Sequence, residues 1–340
     1  MMHTKEWTLM DRTNKDAQLQ EIAAVLRSGE VVAFPTETVY GLGADATNAE
    51  AVAKIFQSKG RPQDNPLIAH VATRKDVHRL SKSYPHYVDN LMDAFSPGPI
   101  TYILPSNGTC AENVTAGLET IGVRIPSHPV AQAILRACDF PIAAPSANIS
   151  GKPSPTTAAH VKDDLFGKIA GIVDAGQTGV GMESTIVDCT KDVPVILRPG
   201  GITKEDIQAC IGDVLDHTPS DDFLEKPAAP GMKYTHYAPE IPLVLVHGDA
   251  SHMQHVIDTY KREGKLVGVL ARSSMEEKLS ADVFVSLGSS LTEVAVHLYD
   301  RLRSFSKGTM DVIVCETFEK KDVGVAIMNR LEKAATKVIK

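Results

Sequence analysis

Residues 58–67 (SKGRPQDNPL) contain two cations, Lys59 and Arg61, at the point where a helix is expected to end. The preceding residues 48–58 carry apolar side chains at helical spacing, which would bury one stripe of that helix. Gly60 is a typical helix terminator, and the proline after Arg61 restricts the chain that follows. The arrangement holds an ammonium and a guanidinium group outward, which suits a polyphosphate or another anion.

A second polar segment, residues 144–148 (APSAN), follows an apolar run far downstream. Its Ser146 and Asn148 occupy alternate positions, so a hydroxyl and an amide would point to one side of an extended strand end. Taken singly, the two segments also fit a solvated basic helix end and a polar turn. The polar segments that lie between and around them favour an anion-binding site instead.

These other polar segments lie at the ends of apolar runs. They are residues 35–43 (PTETVYGLG), 96–101 (SPGPIT), 122–126 (GVRIP), 183–188 (ESTIVD) and 197–200 (LRPG). In this order they resemble the YrdC-like family, and the resemblance is dense as far as residue 200. Residues 231–239 (GMKYTHYAP) match its longer members, so the chain is similar to the two-domain threonylcarbamoyl-AMP synthases.

Composition indicates an ordinary globular protein of 340 residues, long enough for two domains. No apolar run approaches the roughly 20 residues that span a bilayer, and the N-terminus lacks a signal-like apolar segment, so we expect a cytoplasmic protein without a membrane partner. Five scattered cysteines form no zinc or disulfide pattern. A net charge of −7 argues against a large nucleic-acid surface and against a stable nucleic-acid complex.

The pattern of elements predicts an α/β fold in two domains. Residues 1–212 read as a β-rich α/β domain, residues 213–242 as a proline-rich linker, and residues 243–340 as strands alternating with helices. In this last part, residues 251–254 look like a capping box that opens a helix, and residues 325–339 read as a closing helix. The resemblance implies a twisted mixed sheet with flanking helices around a concave cleft, followed by a smaller Rossmann-like, mainly parallel domain.

Several enzyme classes lack their sequence signals here. There is no P-loop motif, and residues 176–181 (GQTGVG) have the wrong spacing for a dinucleotide loop and precede a strand, so they read as a turn. The twelve histidines show no metal-ligand spacing. Ser146 has no recognisable base partner, which argues against a serine hydrolase.

The resemblance implies a specific reaction. L-Threonine, bicarbonate and ATP give threonylcarbamoyl-AMP and pyrophosphate, and the adenylate feeds N6-threonylcarbamoyladenosine modification of tRNA. Such an enzyme must neutralise a triphosphate, hold both charged ends of an amino acid and keep water from a labile mixed anhydride. Mg²⁺ is expected with ATP, held by phosphate oxygens and water, with no tightly bound organic cofactor. No general base and no protein metal ligand is identified.

The resemblance also implies which residues bind the substrates. The residues assigned to ATP are Lys59, Arg61, Asn65, Thr120, Ser146, Asn148, Ser154, Arg198 and Tyr237. The residues assigned to L-threonine are Thr38, His70, Arg124, Ala144 and Ser184. Arginine is the natural bidentate partner of a carboxylate, which fits Arg124. Two structural alternatives stay open, since Arg124 would also cap a strand edge and His70 would also serve as a core histidine.

The linker suggests a lid. Lys233, Tyr234, His236 and Tyr237 place aromatic and polar groups in an irregular segment, and the resemblance implies that this segment folds over the cleft. We expect it to shield the adenylate, with Tyr237 as the main contact. The alternative is a tether whose aromatic side chains pack on a domain surface.

Two other functions compete with the synthase. An RNA-binding module would use Lys59 and Arg61, but the acidic net charge and the lack of interleaved basic and aromatic residues count against it. A hydrogenase-maturation carbamoyltransferase shares the YrdC-like domain but has zinc-finger and acylphosphatase-like regions, which this chain lacks. The ligand of the C-terminal domain, the oligomeric state and any transient hand-off of the adenylate to the tRNA threonylcarbamoyltransferase machinery stay open.

Overall fold

The computed structural model describes residues 2–9, 15–217, 229–230, 236–305 and 308–340. Contacts divide the chain into two compact units. The first unit is Met1–Ser150 with Pro155–Lys233, and the second is Gly151–Ser154 with Tyr234–Lys340. Most of the predicted linker, residues 218–228 and 231–235, lies outside the described residues.

The first unit is built on a mixed sheet, which has eleven strands within the described residues. The strands are β1 Lys5–Thr8, β2 Val32–Pro35, β3 Tyr40–Asp45, β4 Ile68–His70, β5 Ile100–Pro105, β6 Thr120–Arg124, β7 Ile142–Ala143, β8 Gly171–Asp174, β9 Thr185–Asp188, β10 Val195–Arg198 and β11 Leu215–Asp216. Their spatial order is β1-β8-β2-β3-β7-β4-β6-β5-β9-β10-β11. This confirms the predicted mixed sheet.

Helices flank this sheet. They are α1 Lys15–Arg27, α2 Ala49–Lys59, α3 Arg74–His78, α4 Tyr87–Phe95, α5 Glu112–Thr115, α6 Pro129–Cys138, α7 Ala158–Leu165 and α8 Lys204–Ile211. Strand β2 shows why both faces need cover, because Ala33 belongs to one apolar cluster and Val32 and Phe34 belong to another. Successive side chains of a strand point to opposite faces, so β2 is buried on both sides.

Helix α2 confirms the prediction made from residues 48–60. The Asn48 side chain accepts from the backbone N–H groups of Glu50 and Ala51, which caps the start of the helix. Gly60 ends it in the left-handed conformation with φ of 60°, a conformation that glycine adopts without steric penalty. Lys59 therefore lies in the last helical turn, where the helix dipole favours a cation.

The second unit contains a parallel sheet of five strands within the described residues. The strands are β12 Leu243–Val246, β13 Val267–Ala271, β14 Val283–Ser286, β15 Val312–Glu316 and β16 Lys337–Ile339, in the order β14-β13-β15-β12-β16. The helices are α9 Ala250–Arg262, α10 Leu291–Arg303 and α11 Val323–Ala334, and a 3₁₀ helix covers Ser273–Lys278. The parallel arrangement confirms the predicted class of this domain.

Two predictions for the second unit were wrong. The N-cap of α9 is Asp249, whose carboxylate accepts from His252 N at 3.0 Å, and not the predicted Ser251. Residues 325–339 do not form one helix, because α11 ends at Ala334 and the last residues form β16. Strand β16 pairs with β12 and extends the sheet by one edge strand, a tertiary interaction that overrides the local helical pattern.

The cap of α9 gives a direct test. Asp249→Ala should destabilise the second unit by about 1 kcal/mol, because the backbone N–H of His252 at the helix start loses its acceptor. Ser251→Ala is the matched control and should leave stability within about 0.5 kcal/mol, since Ser251 is exposed. Urea denaturation of both variants measures this, and a larger loss for Ser251→Ala would contradict the observed cap.

Candidate functional site

A row of polar residues crosses four neighbouring strands of the first unit. His70 and Arg124 are paired residues at the ends of the parallel strands β4 and β6. The pairing of Tyr102 with Val123 on the other side of β6 places Thr101 next to Arg124. Thr101 Oγ1 lies 2.8 Å from Ser184 Oγ, just before β9. The structure therefore brings together three residues that were predicted to bind L-threonine, namely His70, Arg124 and Ser184.

Arg124 is buried, with 4% of its surface exposed. Its Nη1 donates to Thr38 Oγ1 at 3.0 Å, and its Nη2 donates to Glu37 Oε1 at 2.7 Å. A buried guanidinium is costly unless it is paired, and these two partners provide the pairing. Thr38, which was assigned to L-threonine, therefore contacts Arg124, and so does Glu37, which was not predicted.

The turn between β2 and β3 fixes Glu37 and Thr38. Thr36 Oγ1 accepts from Thr38 N at 3.2 Å and from Val39 N at 3.3 Å, and it lies 2.8 Å from Thr38 Oγ1. These bonds satisfy the backbone inside the turn, as short polar side chains commonly do. The PTET segment is therefore a rigid element that presents an acid and a hydroxyl to Arg124.

His70 is a neutral imidazole in this environment. Burial and the nearby Arg124 charge lower the pKa of His70 to about 3. Its Nδ1 lies 3.2 Å from Ile68 O, a hydrogen bond within its own strand. At neutral pH it therefore offers hydrogen bonds without charge, and it is unsuited to hold a proton as a general base.

A second arginine anchors Ser184. Arg198, at the end of β10, donates to Ser184 O from Nε at 3.1 Å and from Nη2 at 3.0 Å. Nη2 also reaches Ser184 Oγ at 3.2 Å. Arg198, predicted for ATP, and Ser184, predicted for L-threonine, are therefore in direct contact. A ligand group that reaches Arg198 would also lie close to Ser184.

Lys59, Ser146 and Asn148 form a third group. Lys59 Nζ donates to Ser146 O at 2.5 Å and to Asn148 O. Ser146 Oγ donates to Asn148 Oδ1 at 2.5 Å. Lys59 is 2% exposed, so the prediction that its ammonium group points outward was wrong, and these carbonyl contacts compensate for its burial. Residues 58–67 and residues 144–148 thus meet in space.

The other predicted ATP residues of the first unit occupy separate positions. Arg61 Nη2 donates to Pro66 O at 3.1 Å, and it lies 3.4 Å from Asn65 O. Thr120 begins β6, whereas Arg124 ends it, so the two are about 13 Å apart on one face of the strand. Ala144 was assigned to L-threonine, and its backbone N–H donates to Ile68 O in β4.

Two predicted ATP residues, Ser154 and Tyr237, belong to the second unit. Tyr237 is buried and its ring stacks on Tyr299, with 5.4 Å between the ring centroids. The Arg330 guanidinium lies 5.8 Å from the same ring. Lys233 and Tyr234 of the predicted lid lie outside the described residues. The lid therefore stays a prediction.

Within the described residues, no group of three or more His, Cys, Asp or Glu side chains is arranged to hold a metal ion. In the same part of the chain, no helix combines the length and the apolar composition needed to cross a bilayer.

Two protein-family models match the chain, one in each half. The family model described as "Telomere recombination" (Sua5_yciO_yrdC) matches residues 24–200. The model described as "Threonylcarbamoyl-AMP synthase, C-terminal domain" matches residues 202–336.

Individual proteins match over almost the whole chain. The chain is 52% identical to a threonylcarbamoyl-AMP synthase of Bacillus subtilis, over 98% of each protein. It is 42% identical to the same-named protein of Schizosaccharomyces pombe, over 94% of this chain and 88% of the relative. The crystal structure of Pyrococcus abyssi Sua5 complexed with L-threonine superposes with a TM-score of 0.93 at 42% identity and covers 99% of each chain.

Gly200 tests the packing beside Ser184. A Cβ at Gly200 would lie 2.3 Å from Thr185 N and 2.6 Å from Glu183 O, so the backbone itself would have to move. We expect Gly200→Ala to lower the free energy of unfolding by about 2 kcal/mol. Gly179→Ala is the control, since a Cβ there meets nothing within 4 Å. Thermal denaturation measures the stability of both variants, and equal stability of Gly200→Ala and Gly179→Ala would contradict this packing.

Proposed function

We propose that this chain, which belongs to the Sua5/YciO/YrdC family, synthesises L-threonylcarbamoyladenylate. The substrates are L-threonine, bicarbonate and ATP, and pyrophosphate is released. The observation that carries the proposal is the match to curated synthases over both domains, together with the L-threonine complex of a relative that shares the whole fold. The reaction is the first step of the threonylcarbamoyladenosine modification of tRNA.

The L-threonine site in this proposal is the row that contains Arg124. Arg124 accounts for the carboxylate, because a guanidinium binds a carboxylate through two parallel hydrogen bonds. Thr38, neutral His70 and Ser184 supply uncharged hydrogen bonds around it, and Ala144 forms part of the wall. The pairing of His70 with Arg124 supports this assignment, because it places both side chains on one face of the sheet.

The ATP site extends from this row. Lys59 and Arg61 supply charge to the phosphates, and Ser146 and Asn148 add neutral hydrogen bonds. Arg198 joins the two substrates because it touches Ser184. Mg²⁺ would enter with ATP, held mainly by phosphate oxygens and water.

Thr120 and Asn65 complete the proposed nucleotide contacts within the first unit. The distance of about 13 Å between Thr120 and Arg124 suits two ligands bound side by side along one strand.

The chemistry in this proposal depends mainly on position. The amine of L-threonine attacks the carbon of bicarbonate and water leaves, which gives a carbamate. A carbamate oxygen then attacks the α-phosphorus in line and pyrophosphate leaves. The low pKa of His70 removes it as a base at neutral pH. The proton that the amine loses leaves with the hydroxyl of bicarbonate as water.

The cellular setting follows from the substrates. We place the reaction in the cytoplasm, where ATP and tRNA are both available. The product is a labile mixed anhydride, so a transient hand-off to the tRNA threonylcarbamoyltransferase machinery would protect it from hydrolysis.

The direct test is pyrophosphate release from ATP and Mg²⁺, with L-threonine or bicarbonate omitted in turn. We expect release only when both are present, because the carbamate is the nucleophile. A coupled pyrophosphate assay measures the rate, and mass spectrometry identifies the adenylate. Release that is indifferent to L-threonine, or no release together with salt-sensitive tRNA binding, would contradict the proposal and favour an RNA-binding module.

A further inference from the structure

The ion pair between Arg124 and Glu37 is buried, with 5% and 13% of the two side chains exposed. Glu37 Oε1 accepts from Arg124 Nη2 at 2.7 Å. The second oxygen, Glu37 Oε2, is buried and has no hydrogen-bond partner within the part of the chain that the structure describes. Arg124 Nε is also buried and has no hydrogen-bond partner among the described residues. The pair therefore keeps one strong acceptor and one strong donor unused.

Unused buried polar atoms call for an explanation, because nearly all such atoms in folded proteins are paired. Here the two unused atoms have opposite character and belong to one pair of side chains. A free amino acid carries the complementary groups, since its carboxylate accepts hydrogen bonds and its ammonium donates them. The pair is thus complementary to a zwitterion in both charge and hydrogen bonding.

The ionisation of the surrounding groups supports this complementarity. Burial works against ionisation of Glu37, but the charge and hydrogen bond of Arg124 hold the pKa of Glu37 below its usual value. His70 next to Arg124 is neutral. One positive and one negative group remain, so a zwitterion adds no net charge to a buried site.

We propose that Glu37 binds the α-ammonium group of L-threonine through Oε2 and so sets where the nitrogen lies. This inference rests on the proposed function. Glu37 thereby becomes a specificity-determining residue, which selects amino acids with a free amine. After the ammonium loses a proton, the neutral amine still donates an N–H to Oε2, so the nitrogen stays in place for its attack on bicarbonate.

A purely structural role is the alternative, in which Glu37 only neutralises and orients Arg124. The two roles differ for a ligand without the amine. We therefore compare L-threonine with its α-hydroxy analogue, in which a hydroxyl replaces the amine. Both carry the carboxylate that Arg124 binds, but only L-threonine carries the group assigned to Glu37.

The experiment is isothermal titration calorimetry on the full chain with these two ligands. The unmodified protein should bind L-threonine about 30-fold more tightly than the analogue, as expected for a buried charge-assisted hydrogen bond. Glu37→Gln should weaken the binding of L-threonine about 30-fold and change the affinity for the analogue by less than about threefold. The control is Glu30→Gln, which removes the carboxylate of another ion pair, with Lys54 at 2.7 Å. It should change neither affinity.

The contrary outcomes are distinct. An equal loss of affinity for both ligands in Glu37→Gln would overturn the assignment and leave Glu37 with the structural role of orienting Arg124. Equal affinity of the unmodified protein for the two ligands would overturn it without any variant, so the test stands even if Glu37→Gln fails to fold. Failure of the unmodified protein to bind L-threonine would overturn the proposed function as well.

Discussion

Burial of the Arg124 guanidinium is the constraint on which the site depends. A charge placed at the end of a strand inside the protein is tolerated only when hydrogen-bonding partners surround it. Those partners come from the turn between β2 and β3, which the Thr36 hydroxyl holds in shape. The sheet also shapes the site, because the pairing of β4 with β6 sets His70 beside Arg124. A change in the shape of the β2–β3 turn would leave the buried charge of Arg124 without these partners.

A similar constraint operates at Lys59. Its ammonium group contacts the carbonyl oxygens of Ser146 and Asn148, and Ser150 N donates to Lys59 O at 2.9 Å. The end of helix α2 and the segment after β7 therefore stabilise one another. The same groups that would receive phosphates also hold the loops together. A triphosphate would thus bind to a pre-organised site, which limits the entropy lost on binding.

The sequence predicted local features better than distant ones. Helix α2 was recognised because its apolar spacing and Gly60 are local signals. Strand β3 was not predicted, because residues 35–43 were described only as a polar segment at the end of an apolar run. Gly43 is required in the strand, since a Cβ there would lie 2.6 Å from the Phe34 ring. Glu37 was missed for a related reason. Its partner is 87 residues away, and only the folded sheet brings the two together.

The central claim is that the Arg124–Glu37 pair receives a zwitterionic amino acid. A crystal structure of this protein with L-threonine tests it most directly. The account predicts the carboxylate within about 3 Å of an Arg124 nitrogen and the ammonium at a similar distance from Glu37 Oε2. A structure in which the carboxylate binds Lys59 or Arg61, with the Arg124–Glu37 pair unchanged and without ligand contact, would contradict it.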